Sequence, residues 1–143
     1  MLCCTGCQLQ EKQSYLHLLL SRNVDAVLLI GSHFIENSPE ENRYILDAAS
    51  KIPVFILNGE LKGENIYSIL CDDYMALKDM TDLVFSNGAK SPIYLYRTLN
   101  YSGQKKAQGF LNSCAKHGID SSKNTLFAAP EGLHKACAVL EQL

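Results

Sequence analysis

Two rhythms of apolar residues run along this chain. Short unbroken hydrophobic runs alternate with stretches in which apolar side chains return every three or four positions. The first rhythm suits strands buried in a parallel sheet; the second suits helices with one face turned inward. Residues 2–5 read as a short first strand. Residues 11–22 set Tyr15, Leu18, Leu19 and Arg22 at helical spacing, so those side chains form the expected inner stripe of a first helix. The run VDAVLLIG is continuous and β-branched, which predicts a strand buried on both faces. SPEE follows, with Ser38 as N-cap, Pro39 at the first helical position and Glu41 closing a capping box. The helix it opens turns Tyr44, Ile45, Ala48 and Ala49 inward and stops before Pro53. IPVFILNG and IYSILCDD read as the next two strands, joined by a polar loop with Gly59 and Gly63.

In the second half, residues 74–87 form a helical pattern with Met80, Leu83 and Val84 on one face and Gly88 in the C′ position. PIYLYR is a strand. Residues 102–117 repeat the helical rhythm with Ala107, Phe110, Leu111 and Cys114 as the stripe, ending at Gly118. NTLFAA reads as a last strand, and PEGLHKACAVLEQL as a last helix opened by Pro130. The order β-α-β-α-β-β-α-β-α-β-α predicts an α/β fold of parallel sheets with flanking helices. In such folds function gathers where loops leave the carboxyl ends of the strands. The polar residues there are Ser32 and His33, Asn58, Asp72 and Asp73, and Arg97 with the loop TLNYSGQKK.

Composition narrows the function classes. The 143 residues are 47% hydrophobic and 20% charged, enough to bury a core. A net charge of −2 and the absence of any Lys/Arg-rich run argue against a nucleic-acid surface on this segment. The longest apolar run is too short to span a bilayer, and no charged leader precedes an apolar stretch. The six cysteines, at positions 3, 4, 7, 71, 114 and 137, are irregularly spaced and read as reduced thiols in a cytosol.

Several residues carry both a chemical and a plainer reading. Cys4 and Cys7 are spaced C-x-x-C, but no second pair completes a four-ligand zinc site. A redox couple is the alternative to small buried residues at a strand end. Asp72 and Asp73 could hold Mg²⁺ only with a third acid at another strand end, and none stands there. They suit ligand hydrogen bonding and capping of the next helix. Ser32 and His33 lack an orienting acid and a G-x-S-x-G elbow, which disfavours a hydrolase. His17, His117 and His134 fall on helices, as surface residues. No metal or cofactor is expected.

The stretch from Cys71 to Asp120 reads CDDYMALKDMTDLVFSNGAKSPIYLYRTLNYSGQKKAQGFLNSCAKHGID: a strand ending in an acidic pair, a helix closed by glycine, a strand, a polar loop, then a helix with G-F. With YLHLLLSRNVDAVLLIGS upstream, it resembles the effector-binding core of the lactose-repressor (LacI/GalR) family across nearly the whole chain. The resemblance implies a partial periplasmic-binding-protein type I core. Residues 1–72 would be part of its first subdomain and residues 73–143 part of its second, with a small-molecule effector held between them. Carried over position by position, it implies effector contacts from Ser32, Asn58, Asp72, Asp73, Arg97, Asn100, Ser102 and Lys106. Asp73 stands where the family has the Asn of a "DN" pair. Lys106 replaces a ligand-gripping arginine, exchanging a bidentate fork for a point charge. Ala76 stands where a glycine is common.

The resemblance further implies a cytoplasmic, homodimeric regulator, not an enzyme, with no membrane contact. It would sense a sugar or related polyol and touch operator DNA only through a helix-turn-helix headpiece that these residues do not contain. The family's first strand and helix and its closing strands are likewise not seen, so the chain reads as a fragment. The edges left by the missing strand are expected either to pair directly, residues 2–5 with residues 24–31, or to be buried against a second chain. Effector affinity is then expected to be weak or nil. A sugar receptor of a transport system and a small α/β enzyme acting through Asp72, Asp73 or Lys106 are the alternatives.

Overall fold

Parallel ladders organise the chain, as the apolar runs predict. The computed structural model describes residues 1–120, 125–129, 137 and 141, so the helix expected from Pro130 onward, with His134, lies outside the described residues. The chain divides into two units, Met1–Cys71 and Asp72–Leu143. In the first, α1 (Leu9–Ser21) leads to β1 (Val27–Ile30), a 3₁₀ turn (Ser32–Phe34), α2 (Arg43–Ala49), β2 (Val54–Leu57) and β3 (Ile66–Ile69). The sheet order is β1-β2-β3, all parallel, with Val27 beside Val54 and Val54 beside Ile66. The second unit holds α3 (Asp73–Ser86), β4 (Tyr94–Tyr96), α4 (Tyr101–Lys116) and β5 (Leu126–Ala128), with β4 and β5 parallel.

One face of the first sheet is a closed core. Val27, Leu29, Val54 and Ile56 are buried together with Ile45, Ala48 and Ala49 of α2. Each large side chain removed from water there is worth about 1.5–3 kcal/mol. The start of α2 is later than SPEE predicts. Ser38 does accept from the Glu41 amide at 3.2 Å, but residues 39–42 make tight turns before the helix begins at Arg43.

The opposite face corrects the expectation of a strand buried on both sides. Leu28 is 54% and Ile30 59% exposed, and Tyr67 and Ile69, in register with them across β2, are exposed as well. Helices cover both faces of most parallel sheets; among the described residues none covers this one. Residues 2–5 also form no strand, so they do not pair with β1, and Leu2 is almost fully exposed. A groove of about 680 Å³ runs between this segment, α1 and β1, lined by Cys3, Leu16, Leu28 and Phe34 among others. A strand without a ladder partner has nowhere to place its backbone hydrogen bonds, and residues 2–5 stay irregular. Cys4 and Cys7 are consequently exposed, not buried at a strand end, and all six cysteines are free thiols.

Two inner stripes are shifted from those the spacing suggests. In α1 the buried residues are Lys12 and Leu16, while Tyr15 and Leu18 face outward. In α3 Met80, Leu83 and Val84 are exposed, and Asp73 and Thr81 are buried. The reason in the second unit is α4, which packs along the polar side of α3. Gly109 makes that approach possible, since a Cβ there would stand 2.2 Å from the Tyr74 carbonyl oxygen. The α4 stripe itself is as expected, with Ala107, Phe110 and Cys114 buried.

The far end of the α3–α4 pair is pinned by Asp82. Its carboxylate accepts from Ser113 Oγ at 2.5 Å, Lys116 Nζ at 2.9 Å and Lys78 Nζ at 3.2 Å, and meets His117 Nε2 at 3.0 Å. The Ser113 hydroxyl, followed by these cationic partners, holds the Asp82 carboxyl far below the usual carboxylate range. A carboxyl lowered in the folded state stabilises above its unfolded pKa, and loses that contribution as pH falls. Asp82→Asn should therefore lower the urea midpoint at pH 7, with the gap to the parent chain closing as pH drops below 3.8. Gly109→Ala should cost about 1–3 kcal/mol in the same titration by forcing α3 and α4 apart.

Candidate functional site

Polar residues gather, in each unit separately, just past the carboxyl ends of strands and at the starts of helices. In the first unit β1 ends at Gly31, whose amide makes the last rung to the Leu57 carbonyl at 3.0 Å. Gly31 turns the chain with φ 122°, and a Cβ there would meet the His33 ring at 2.7 Å. This turn starts the Ser32–Phe34 helical turn and presents Ser32 and His33 at the strand end. β2 ends likewise at Asn58, in the left-handed region with φ 61°, its amide donating to the Ile69 carbonyl at 2.7 Å. Asn58 Oδ1 is buried without a hydrogen-bond partner. An orphaned buried acceptor is uncommon and marks a place where a donor is wanted.

The Ser32 turn is held by Lys12 and Asn42, which the sequence pattern did not single out, and by Tyr44, which the pattern placed on an inner helical stripe. Lys12 of α1, 2% exposed, donates to the His33 carbonyl oxygen at 2.7 Å and to the Glu36 carboxylate. Asn42 accepts from the Glu36 amide at 2.8 Å and donates to the Glu36 and Ser38 carbonyls, both at 2.9 Å. Tyr44 donates to the Phe34 carbonyl at 2.7 Å. Burial, with Glu36 nearby, pushes the Tyr44 phenol well above its usual range, so it stays a donor at neutral pH. Lys12 escapes a sequence reading because a lysine on a helix normally marks the solvent side. Its spacing of four from buried Leu16 was the one available signal.

In the second unit the acidic pair and the α4 loop converge. Asp72 caps α3, accepting from the Met75 amide at 3.0 Å, and Asn100 caps α4, accepting from the Gly103 amide at 3.0 Å. Asp73, 6% exposed, accepts from Ser102 Oγ at 2.5 Å and pairs with Lys106 Nζ at 3.4 Å. The structure thus brings Asp73, Ser102 and Lys106 into one group, with two negative charges at the start of α3 where the helix dipole favours them. Lys106 keeps donors to spare on a part-exposed ammonium. Lys105 lies 2.7 Å from the Tyr101 hydroxyl, 4.4 Å above that ring's centre, and Arg97 stands exposed just past β4. Among the described residues no group of three His, Cys, Asp or Glu side chains is placed to hold a metal ion.

The His33 ring packs on Phe34, with centroids 4.4 Å apart. Burial, followed by the Lys12 charge, lowers its pKa from the ordinary 6.5 against a smaller opposing effect of Glu36. A base whose folded pKa is lowered binds fewer protons folded than unfolded, so stability is complete above pH 6.5 and declines as pH falls through it. The urea midpoint of the first unit should drop between about pH 7 and pH 5, and His33→Asn should flatten that dependence.

No protein-family model matches the chain. A curated HTH-type transcriptional regulator from Lachnoclostridium phytofermentans is 39% identical over 142 residues, covering 99% of this chain and 43% of that protein. The chain therefore spans less than half the length of this relative. Among solved structures, the transcription regulator CcpA of Lactococcus lactis superposes with a TM-score of 0.79 at 18% identity, over 100% of this chain and 51% of that one. A LacI family transcriptional regulator from Lactobacillus casei, solved with bound sucrose, gives 0.76 at 22% identity, over 99% and 51%. The same regulator with bound glucose gives 0.76 over 99% and 52%. The resemblance to the LacI-type core holds at the level of the fold: this chain has about half of that architecture, two units of parallel sheet and helix. No helix among the described residues is long and apolar enough to cross a membrane.

Proposed function

We propose that this chain is a small-molecule sensing segment of a LacI-type transcriptional regulator that works in the cytoplasm as a homodimer, its two units being parts of the two effector-core subdomains. The observation that carries the reading is the 39% identity with an HTH-type regulator along 99% of the chain. The fold supports it, and the sucrose- and glucose-bound neighbours favour a sugar or polyol as the effector. The same relatives are regulators, which favours this reading over a transport receptor or an enzyme. Operator contact would belong to a headpiece outside these residues, because a net charge of −2 suits no phosphate surface.

On this reading the candidate residues have unequal roles. Asn58, whose buried Oδ1 lacks a partner, and Ser32 lie at neighbouring strand ends, where they would meet a ligand's polar groups. Lys106 donates from its remaining N–H groups, while buried Asp73 and Ser102 hold it in place. Asp72 and Asn100 fix the helix starts on which this group is built. Arg97 contributes a second cation whose fork can grip two oxygens. Such a ligand shifts a regulator only through its affinity difference between two states.

Proton–nitrogen correlation NMR of the chain with glucose and sucrose at millimolar concentration tests the reading. Weak binding is expected, with amide shifts around Lys106 that disappear in Lys106→Ala. Shifts confined to other surfaces would sink it. So would none with any sugar or polyol, because a sensing role for these residues needs the weak and not the nil end of the affinity expected of a fragment.

A further inference from the structure

Lys12 poses a physical question that sensing alone does not answer. Its ammonium is buried at the inner end of α1 and is bound to a carbonyl and a carboxylate of the turn after β1. Taking a lysine out of water costs several kcal/mol, and buried ion pairs seldom repay more than that cost in stability. An apolar residue would fill the same stripe beside Leu16 more cheaply. What the pair adds is direction, because both of its partners lie in one short turn, His33 and Glu36.

We propose that Lys12 is a positioning residue, fixing from α1 the turn that presents Ser32 and His33 at the strand end; its relevance to ligand choice rests on the sensing role argued above. The turn has few bonds of its own. The Phe34 amide reaches the Gly31 carbonyl at 3.4 Å and the Ile35 amide the Ser32 carbonyl at 3.3 Å, both at the long end of the hydrogen-bond range. The Asn42 side chain secures Glu36 and the Tyr44 hydroxyl secures Phe34, which leaves the His33 carbonyl to Lys12. The ammonium bridges that carbonyl to Glu36, closing the turn across three residues. Without it, the His33 carbonyl loses its tie to α1, and the turn's own amide bonds are the two long ones.

Amide hydrogen exchange read by NMR on the intact chain provides the test, with Lys12→Met/Glu36→Gln set against the parent and against Glu36→Gln alone. The double variant should exchange the Phe34 and Ile35 amides at least about tenfold faster, with β2 protection and the urea midpoint unchanged. Glu36→Gln alone leaves Lys12 its bond to the His33 carbonyl and an amide oxygen to donate to, and should keep the turn protected. Unchanged exchange in the double variant would overturn the proposal. So would protection lost across β1 and β2 together with a lower midpoint, which would make Lys12 a packing residue only. Loss of protection in Glu36→Gln alone would assign the tie to Glu36 instead. No ligand enters this experiment, so a failure to bind sugars and a failure of the positioning role are separately visible.

Discussion

Parallel pairing is the constraint from which the rest follows. Two parallel neighbours cannot be joined by a tight hairpin, so the chain must cross back between them, most often through a helix. That return places every carboxyl end of β1, β2 and β3 at the same edge of the first sheet. Polar residues that end separate strands in sequence, Ser32 after β1 and Asn58 after β2, therefore become neighbours in space. The ladder rungs from Gly31 to Leu57 and from Asn58 to Ile69 carry this arrangement to the last residue of each strand. In the second unit the same logic sets Arg97 at the end of β4.

The unequal faces of the first sheet show what the ladder leaves undone. The face packed on α2 is sealed by Ile45, Ala48, Val54 and Ile56, all fully buried, and is sufficient to fix register, since a one-residue slip would turn those side chains to water. The face carrying Leu28, Ile30, Tyr67 and Ile69 is equally apolar and remains open. Among the described residues β1 is also an edge strand, and the groove runs along it. Sequence composition registers both faces as hydrophobic and cannot tell which one finds a partner.

Most of the architecture was legible for this reason, and the failures share one cause. β2, β3, β4, the N-cap of α3 and the ends of α3 and α4 follow from local signals: apolar runs, Asp72 before α3, and Gly88 and Gly118 after the two helices. Residues 2–5, the buried side of α1 and the buried side of α3 depended on a distant partner. A strand needs a neighbour, and residues 2–5 have none. The α3 stripe of Met80, Leu83 and Val84 is hydrophobic by pattern, yet α4 chose the side where Gly109 lets two backbones meet. The candidate site divides along the same line. Asp73, Ser102 and Lys106 were singled out through the family resemblance, whereas Lys12, Glu36 and Asn42, whose roles are tertiary, were not singled out at all.

Two lysines make the distinction concrete. Lys106 and Lys12 both sit on helices beside a carboxylate, and hydropathy gives both to solvent. Lys106 pairs with Asp73 at 3.4 Å and keeps about a third of its side chain exposed, so desolvation costs it little and donors remain for a guest. Lys12 is 1% exposed at its side chain, and its donors are turned to the His33 carbonyl and Glu36. A half-wet ammonium can answer to a ligand, while a buried one answers to its own loop. The difference is set by which helix face finds a partner in the fold, a quantity that no single residue or its spacing records.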